Sequence, residues 1–362
     1  MKKNKRLRFI VFLTILLLIF CVGFMAASWK SSAFSDWYTE NIFPVLTTPY
    51  AMLTSLVPFS VGELMLTALL PILLGVVITA LCKHFWKGFP LFVMIIATIM
   101  CLNCFVLYHC SPIKVSDTSA QDYNLEQLTV LRDYIVTQCN EMAEQIPHDE
   151  DGNVIYDGNM AEGAKEAVAA LSATYPKLSG FTVTPKALLL SGFMSQQYMQ
   201  GYYFPFSMEA NYNDYMYIMN KPFTMCHEIA HTKGYIYEDE ANFLGFLSCI
   251  RSDDIVFRYS GYLGVLNYVN NDFYKAVDKD VYNSHVKISD KVKYDNQFLT
   301  KEAWEMVEKR SIFKTETVKK AADTFVDTNL KVNGVSSGKV SYNHVVGLLL
   351  EYYYNGAGKG SF

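Results

Sequence analysis

The chain has 362 residues, 51% of them apolar, with 31 Lys and Arg against 35 Asp and Glu. The apolar residues crowd into the first third, where residues 1–110 hold eight basic and three acidic side chains, while residues 111–362 hold twenty-three and thirty-two. A net acidic larger portion with no run of Lys and Arg interleaved with aromatics lacks the electrostatic footprint of a nucleic-acid binder and excludes that class.

About 20 apolar residues at helical rise cross a hydrocarbon core of ~30 Å. Three stretches reach that length: Phe9–Ala27, Val61–Leu81 and Phe89–Tyr108. The first follows Lys2, Lys3, Lys5, Arg6 and Arg8, but its apolar run is too long for a cleaved leader and no small-residue cleavage site follows, so it reads as a retained anchor. Basic flanks tend to stay in the cytoplasm. The basic amino terminus and the turn Lys83–Lys87 therefore belong inside, and residues 30–60 outside, which leaves the chain from 111 onward beyond the cytoplasmic membrane. Ser60 followed by Glu63 is a capping-box pattern that starts the second span. Asn103, a lone amide in the third span, reads as helix-packing glue. Three spans with almost no buried charge offer little material for an ion path, which argues against a transporter.

Of the eight cysteines, Cys21, Cys82, Cys101 and Cys104 lie in or at the edge of the spans. Cys110, Cys139, Cys226 and Cys249 match no disulfide staple or zinc knuckle and read as buried thiols. After a polar connection at Ser111–Asp122, Leu125, Leu128, Leu131, Ile135 and Cys139 recur at helical spacing. A Gly/Asp-rich turn at Asp149–Asn159 and a helix over Met160–Ala173 follow. The acidic run from Asp149 lacks the closing Glu of a calcium loop and reads as a solvated turn. Within Gly201–Asn211, Tyr202, Phe204, Phe206 and Met208 alternate against Tyr203, Pro205, Ser207 and Glu209, the pattern of a strand with unlike faces. Pro205 cannot donate to a ladder, so the strand belongs at a sheet edge. Helices are predicted over Pro222–Lys233, Asp239–Ile250, Gly261–Val269, Lys301–Lys309, Thr315–Leu330 and Ser341–Tyr354.

The chemistry concentrates in Cys226-His227-Glu228-Ile229-Ala230-His231. Positions i and i+4 lie on one helix face, so both imidazoles reach one metal ion, and the intervening Glu228 projects beside it as a general base. Gly234 supplies the left-handed position that ends the helix and returns the chain toward the metal. A catalytic zinc commonly takes three protein ligands and a water. Glu238, Asp239 and Glu240 open the next helix. Glu240 is chosen as third ligand because Leu244 and Leu247 follow at i+4 and i+7, with Glu238 as the alternative; Asp239 reads as a helix-dipole partner.

These residues resemble a family of uncharacterised bacterial membrane-anchored proteins with a zincin-like site. The likeness runs through Tyr203-Phe204-Pro205-Phe206 with Glu209-Ala210-Asn211, the HExxH segment, Glu238-Asp239-Glu240-Ala241-Asn242-Phe243, and Phe257-Arg258-Tyr259-Ser260-Gly261-Tyr262-Leu263. It implies a gluzincin-like arrangement, two His from one helix and a Glu from the next. In such proteins an edge strand beside the metal often aligns an extended peptide, which makes Tyr203, Phe204, Pro205, Phe206, Glu209 and Asn211 the candidate substrate strand. Tyr262 or Arg258 is the candidate electrophilic helper for charge developing on the carbonyl oxygen. The expectation is therefore a membrane domain at 1–110, followed at 111–362 by a mainly helical α+β zincin-like domain with a small sheet. It would hold one Zn2+ and hydrolyse a peptide or protein substrate at the lipid bilayer. The rival expectation is an inactive zincin serving as a binding or sensor module.

Overall fold

The computed structural model describes residues 2–80, 88–116, 123–332 and 344–362. The basic turn Lys83–Lys87, residues 117–122 of the polar connection and residues 341–343 of the last predicted helix lie outside them. The chain divides into two compact units: Met1–Ser111 with Phe204–Glu209, and Pro112–Tyr203 with Ala210–Phe362.

The first unit comprises α1 (Lys2–Lys30), α2 (Ser32–Asn41), α3 (Phe43–Ser55), α4 (Val61–Ala80) and α5 (Phe89–Asn103). Among the described residues, α1 is the one helix long and apolar enough to cross a membrane, over Lys5–Lys30 with mean hydropathy 3.0. This corrects the expectation of three such helices. The α5 helix spans about 22 Å at 1.5 Å per residue, less than a hydrocarbon core. It stops at Asn103 rather than Tyr108 because Cys104 leaves helical geometry and the chain tightens into a 3-10 turn over Phe105–His109.

Asn103 ends that helix with its amide turned to two partners: it donates to the Tyr50 hydroxyl at 2.6 Å and the Pro205 carbonyl at 2.8 Å. The α4 helix begins as the sequence predicts, with the Ser60 hydroxyl accepting from the Glu63 amide at 3.0 Å. The first N–H groups of a helix have no partner within it. Here the Glu209 carboxylate takes those of Val61 (3.0 Å) and Gly62 (2.7 Å), and also the Ser207 hydroxyl.

The second unit contains, in chain order, α6 (Leu125–Gln145), α7 (Met160–Ala170), β1 (Lys186–Ala187), α8 (Ser191–Gln196), β2 (Gly201–Phe204) and β3 (Glu209–Tyr212). These are followed by α9 (Lys221–Thr232), α10 (Glu238–Ile250), α11 (Ile255–Ala276), α12 (Lys279–Ser284), α13 (Asp290–Asp295), α14 (Lys301–Arg310), α15 (Thr315–Val332) and α16 (Val345–Tyr354). The unit is mainly helical, with a three-stranded sheet in the order β1-β3-β2, β1 pairing in parallel with β3.

The α6 helix starts on a reciprocal capping box between Asn124 and Gln127, and Leu131, Ile135 and Cys139 bury one face completely. That face packs on α11, which packs in turn on α9 and α10. The predicted single strand over Gly201–Asn211 is instead two strands joined by a turn. Pro205 sits in that turn, Met208 takes a left-handed φ of 53°, and the Met208 amide donates to the Phe204 carbonyl at 2.8 Å. His148 is not isolated: it lies 3.2 Å from the fully buried Asp295, which also accepts from the hydroxyls of Tyr217 and Tyr259.

Candidate metal centre

The α9 helix carries His227, Glu228 and His231 on buried turns, between Pro222 in its first turn and the cap residue Lys233. The Gly234 amide donates to the His231 carbonyl (3.0 Å) and the Tyr235 amide to the Ala230 carbonyl (3.2 Å), while Gly234 adopts a φ of +90°. That is the Schellman closure the glycine was read to make. It has a chemical consequence: the reversed chain presents the Tyr235 carbonyl to Nδ1 of His231 at 2.7 Å. With its proton held at Nδ1, His231 has a lone pair at Nε2 to offer a metal.

The two Nε2 atoms of His227 and His231 stand 3.0 Å apart. The Glu238 carboxylate lies 3.2 Å from Nε2 of His227 and 3.7 Å from Nε2 of His231. Donors placed tetrahedrally at zinc bond lengths of about 2.0–2.1 Å are separated by roughly 3.3 Å. The three separations bracket that value, so one ion can bond all three. Among the described residues this is the one group of three or more His, Cys, Asp or Glu donors close enough to hold a metal.

The third acid is thus Glu238, the alternative of the sequence reading, and Glu240 lies elsewhere. Its carboxylate accepts from the Ile113 amide at 2.7 Å. Two residues along a helix is a rotation of about 200°, so the two side chains leave α10 on opposite sides. Asp239 accepts from the Glu240 amide at 3.0 Å, as a helix-start acid does.

The buried carboxylates and imidazoles of the group shift one another's ionisation strongly. Burial pushes the Glu228 carboxyl up to about 8, helped by the Glu238 charge and opposed by His231. Burial and the neighbouring His231 lower His227. Burial also acts to lower His231, but the carboxylates of Glu238 and Glu228 and the Tyr235 carbonyl outweigh it and raise the ring to about 9. Glu238 is held far below the usual carboxylate range despite its burial, by both histidines. A divalent ion reverses the logic of such a cluster, replacing the proton on His231 and drawing Glu228 toward its ionised form.

Glu228 is 4% exposed and its Oε2 atom is buried with no hydrogen-bond partner. Its other oxygen lies against β2: a methyl group built on Gly201 would come within 2.7 Å of Oε1 of Glu228 and 2.6 Å of the Asn211 carbonyl. Only a residue without a side chain fits between the base and the sheet. Tyr203 on the same strand brings its ring to 6.3 Å from that of His231.

The remaining candidates lie apart from this group. Phe204 and Pro205, Phe206 and Glu209 belong to the first unit, where Glu209 holds the start of α4, so the candidate substrate strand shortens to Gly201–Tyr203. Asn211 sits on the middle strand β3. Tyr262 joins an aromatic cluster, its ring 5.6 Å from Phe246 and its hydroxyl 3.3 Å from that of Tyr134. Arg258 lies one turn before it on α11, with its Nε buried and unpartnered.

Sequence reading missed Gly201, Asn242 and Tyr268. Asn242 has a signal that was available: Glu238, Asn242, Gly245 and Cys249 recur at i, i+4, i+7 and i+11, a complete face of α10. Cys249 on that face is 3.9 Å from Cys226 of α9, and a methyl on Gly245 would touch the His227 backbone at 3.4 Å.

No curated protein and no solved structure matches the chain. A family model described as "Protein of unknown function (DUF3810)" matches residues 38–350, so the α9–α10 helix pair and its His227, His231 and Glu238 donors fall within the matched region. The chain belongs to that family.

Proposed function

We propose that the protein is a membrane-anchored zinc-dependent peptidase of the gluzincin kind, with His227, His231 and Glu238 as metal ligands and Glu228 as general base. The observation that carries this reading is the set of donor separations, 3.0, 3.2 and 3.7 Å, beside a buried carboxylate. A zinc ion bound there supplies Lewis-acid charge and lowers the pKa of its water to near neutrality. The residues of the chain do the rest. Glu228, one position along the helix from His227, takes the proton of the attacking water and returns it to the leaving amine nitrogen. The Tyr235 carbonyl keeps the His231 ring in the tautomer that can ligate. The β2 strand, outermost in the sheet order, lies against Glu228 at Gly201, which brings the strand to which an extended peptide would add next to that carboxylate.

We read α1 as the anchor, and the basic residues before it support an amino terminus inside and the second unit outside. A cysteine introduced at Asp151 should then react with a membrane-impermeant maleimide in intact cells; protection until the cells are lysed would invert the topology.

The catalytic reading is tested on the full-length protein in detergent. Elemental analysis should give about one zinc per chain, and a fluorogenic peptide library should be cleaved by the zinc-loaded protein, arrested by chelator and restored by zinc. Zinc without cleavage would point to the binding or sensor module instead, and protein that takes up no zinc when supplied would end the metallopeptidase reading.

A further inference from the structure

The two ligating histidines differ in how their second nitrogen is held. Nδ1 of His231 has the Tyr235 carbonyl at 2.7 Å. Nδ1 of His227 is buried with no hydrogen-bond partner. An imidazole that ligates through Nε2 needs its proton kept at Nδ1, and in metal sites an outer partner nearly always keeps it there.

One side chain is placed to serve. Asn242 is 3% exposed and lies one helical turn beyond Glu238, on the face of α10 that meets His227 at Gly245, with the Tyr268 phenol beside it. Its own amide nitrogen is buried without a partner. Leaving an amide nitrogen and an imidazole nitrogen both unpaired in the interior forfeits the hydration each would have in water. Both are donors once His227 ligates through Nε2, so the amide oxygen of Asn242 is the group that can take the Nδ1 proton, with the amide nitrogen left for a second partner. The α10 face is built for the approach, because Gly245, three residues on, lets the helix lie against the His227 backbone. From the third side α11 delivers Tyr268. Ser260, two turns earlier on the same helix face, accepts from the Phe223 amide of α9 at 3.1 Å and fixes the register.

We propose that Asn242 is the positioning residue of the metal centre. Its amide oxygen accepts the Nδ1 proton of His227, and its amide nitrogen donates to the phenol oxygen of Tyr268, leaving the Tyr268 hydroxyl proton to point at the site beside Glu238. The inference rests on the metal reading above and goes further by naming how the first ligand is oriented.

The test is zinc affinity, measured on the full-length protein in detergent by competition with a chromophoric chelator, with the melting temperature of the metal-free protein as a parallel readout. Asn242→Ala should weaken zinc binding by about 10–100-fold. Asn242→Asp retains an acceptor for Nδ1 and should restore it. Melting temperatures of the metal-free variants should not track the affinity losses. Equal affinity in Asn242→Ala and the native protein would overturn the proposal. So would an Asn242→Asp protein as weak as Asn242→Ala, since a merely structural amide is not rescued by a carboxylate. A native protein that binds no zinc would bring down the metal reading itself, an outcome distinct from either of these.

Discussion

Replacing Glu238 with Gln should take the protein from about one zinc per chain to a tenth of that or less, whereas Glu240→Gln should leave the metal in place. Three protein ligands are the usual minimum for a catalytic zinc, and an amide in place of a carboxylate removes the negative charge that two buried imidazoles and a dication require. Glu238 is the acid whose oxygen stands 3.2 and 3.7 Å from the two Nε2 atoms. Glu240 is engaged by the Ile113 amide at 2.7 Å, so its loss should be felt in stability, by about 1–3 kcal/mol for a buried hydrogen bond to a charged group. The pair of variants therefore separates metal content, read by elemental analysis, from melting temperature. The opposite pattern, with metal lost on Glu240→Gln and kept on Glu238→Gln, would mean that α10 turns its other face to the metal.

Glu228→Gln should lower peptide hydrolysis by about 10²- to 10⁴-fold while zinc stays at about one per chain. The amide matches the carboxylate in shape, so the space between Glu228 and Gly201 is still filled and β2 keeps its place. It cannot accept the proton of the attacking water. Initial rates on a cleaved library peptide, with zinc content measured on the same sample, decide the matter. Undiminished cleavage by the zinc-loaded variant would show that another group is the base.

How far the sequence could be read depended on whether a feature was local. The HExxH helix and its Gly234 terminus were legible because both depend on residues within one or two turns: i and i+4 share a face, and the reversal after His231 needs a left-handed residue three positions on. The capping pair Ser60 and Glu63 was legible for the same reason. The long strand was not, because alternation survives in the residue pattern through Pro205 and Met208 although the backbone turns there. The alternating side chains were recruited by the first unit, where Glu209 caps α4 and Pro205 receives Asn103.

The acid that meets the two histidines shows the same divide more sharply. Residues Glu240 to Cys249 of α10 are buried on every side. Such a helix has no polar face to mark which way is outward. The Leu244 and Leu247 stripe and the Gly245 and Cys249 stripe were equally apolar or small, and either acid at the helix start could have headed the one that meets α9.

By itself, then, the sequence determined the apolar first third, the anchoring helix, the mainly helical character of the remainder and the two-histidine helix with its built-in reversal, because each is set by composition or by spacing within a few turns. Only the tertiary structure decided that Glu238 faces α9 while Glu240 faces Ile113, that Gly201 abuts Glu228, and that Tyr262 joins an aromatic cluster with Phe246 and Tyr134. The physical reason is that an acid on a buried helix is assigned by which neighbour packs against its side. That choice follows from how closely helices can approach at residues such as Gly245, a property of pairs of segments and not of either one alone.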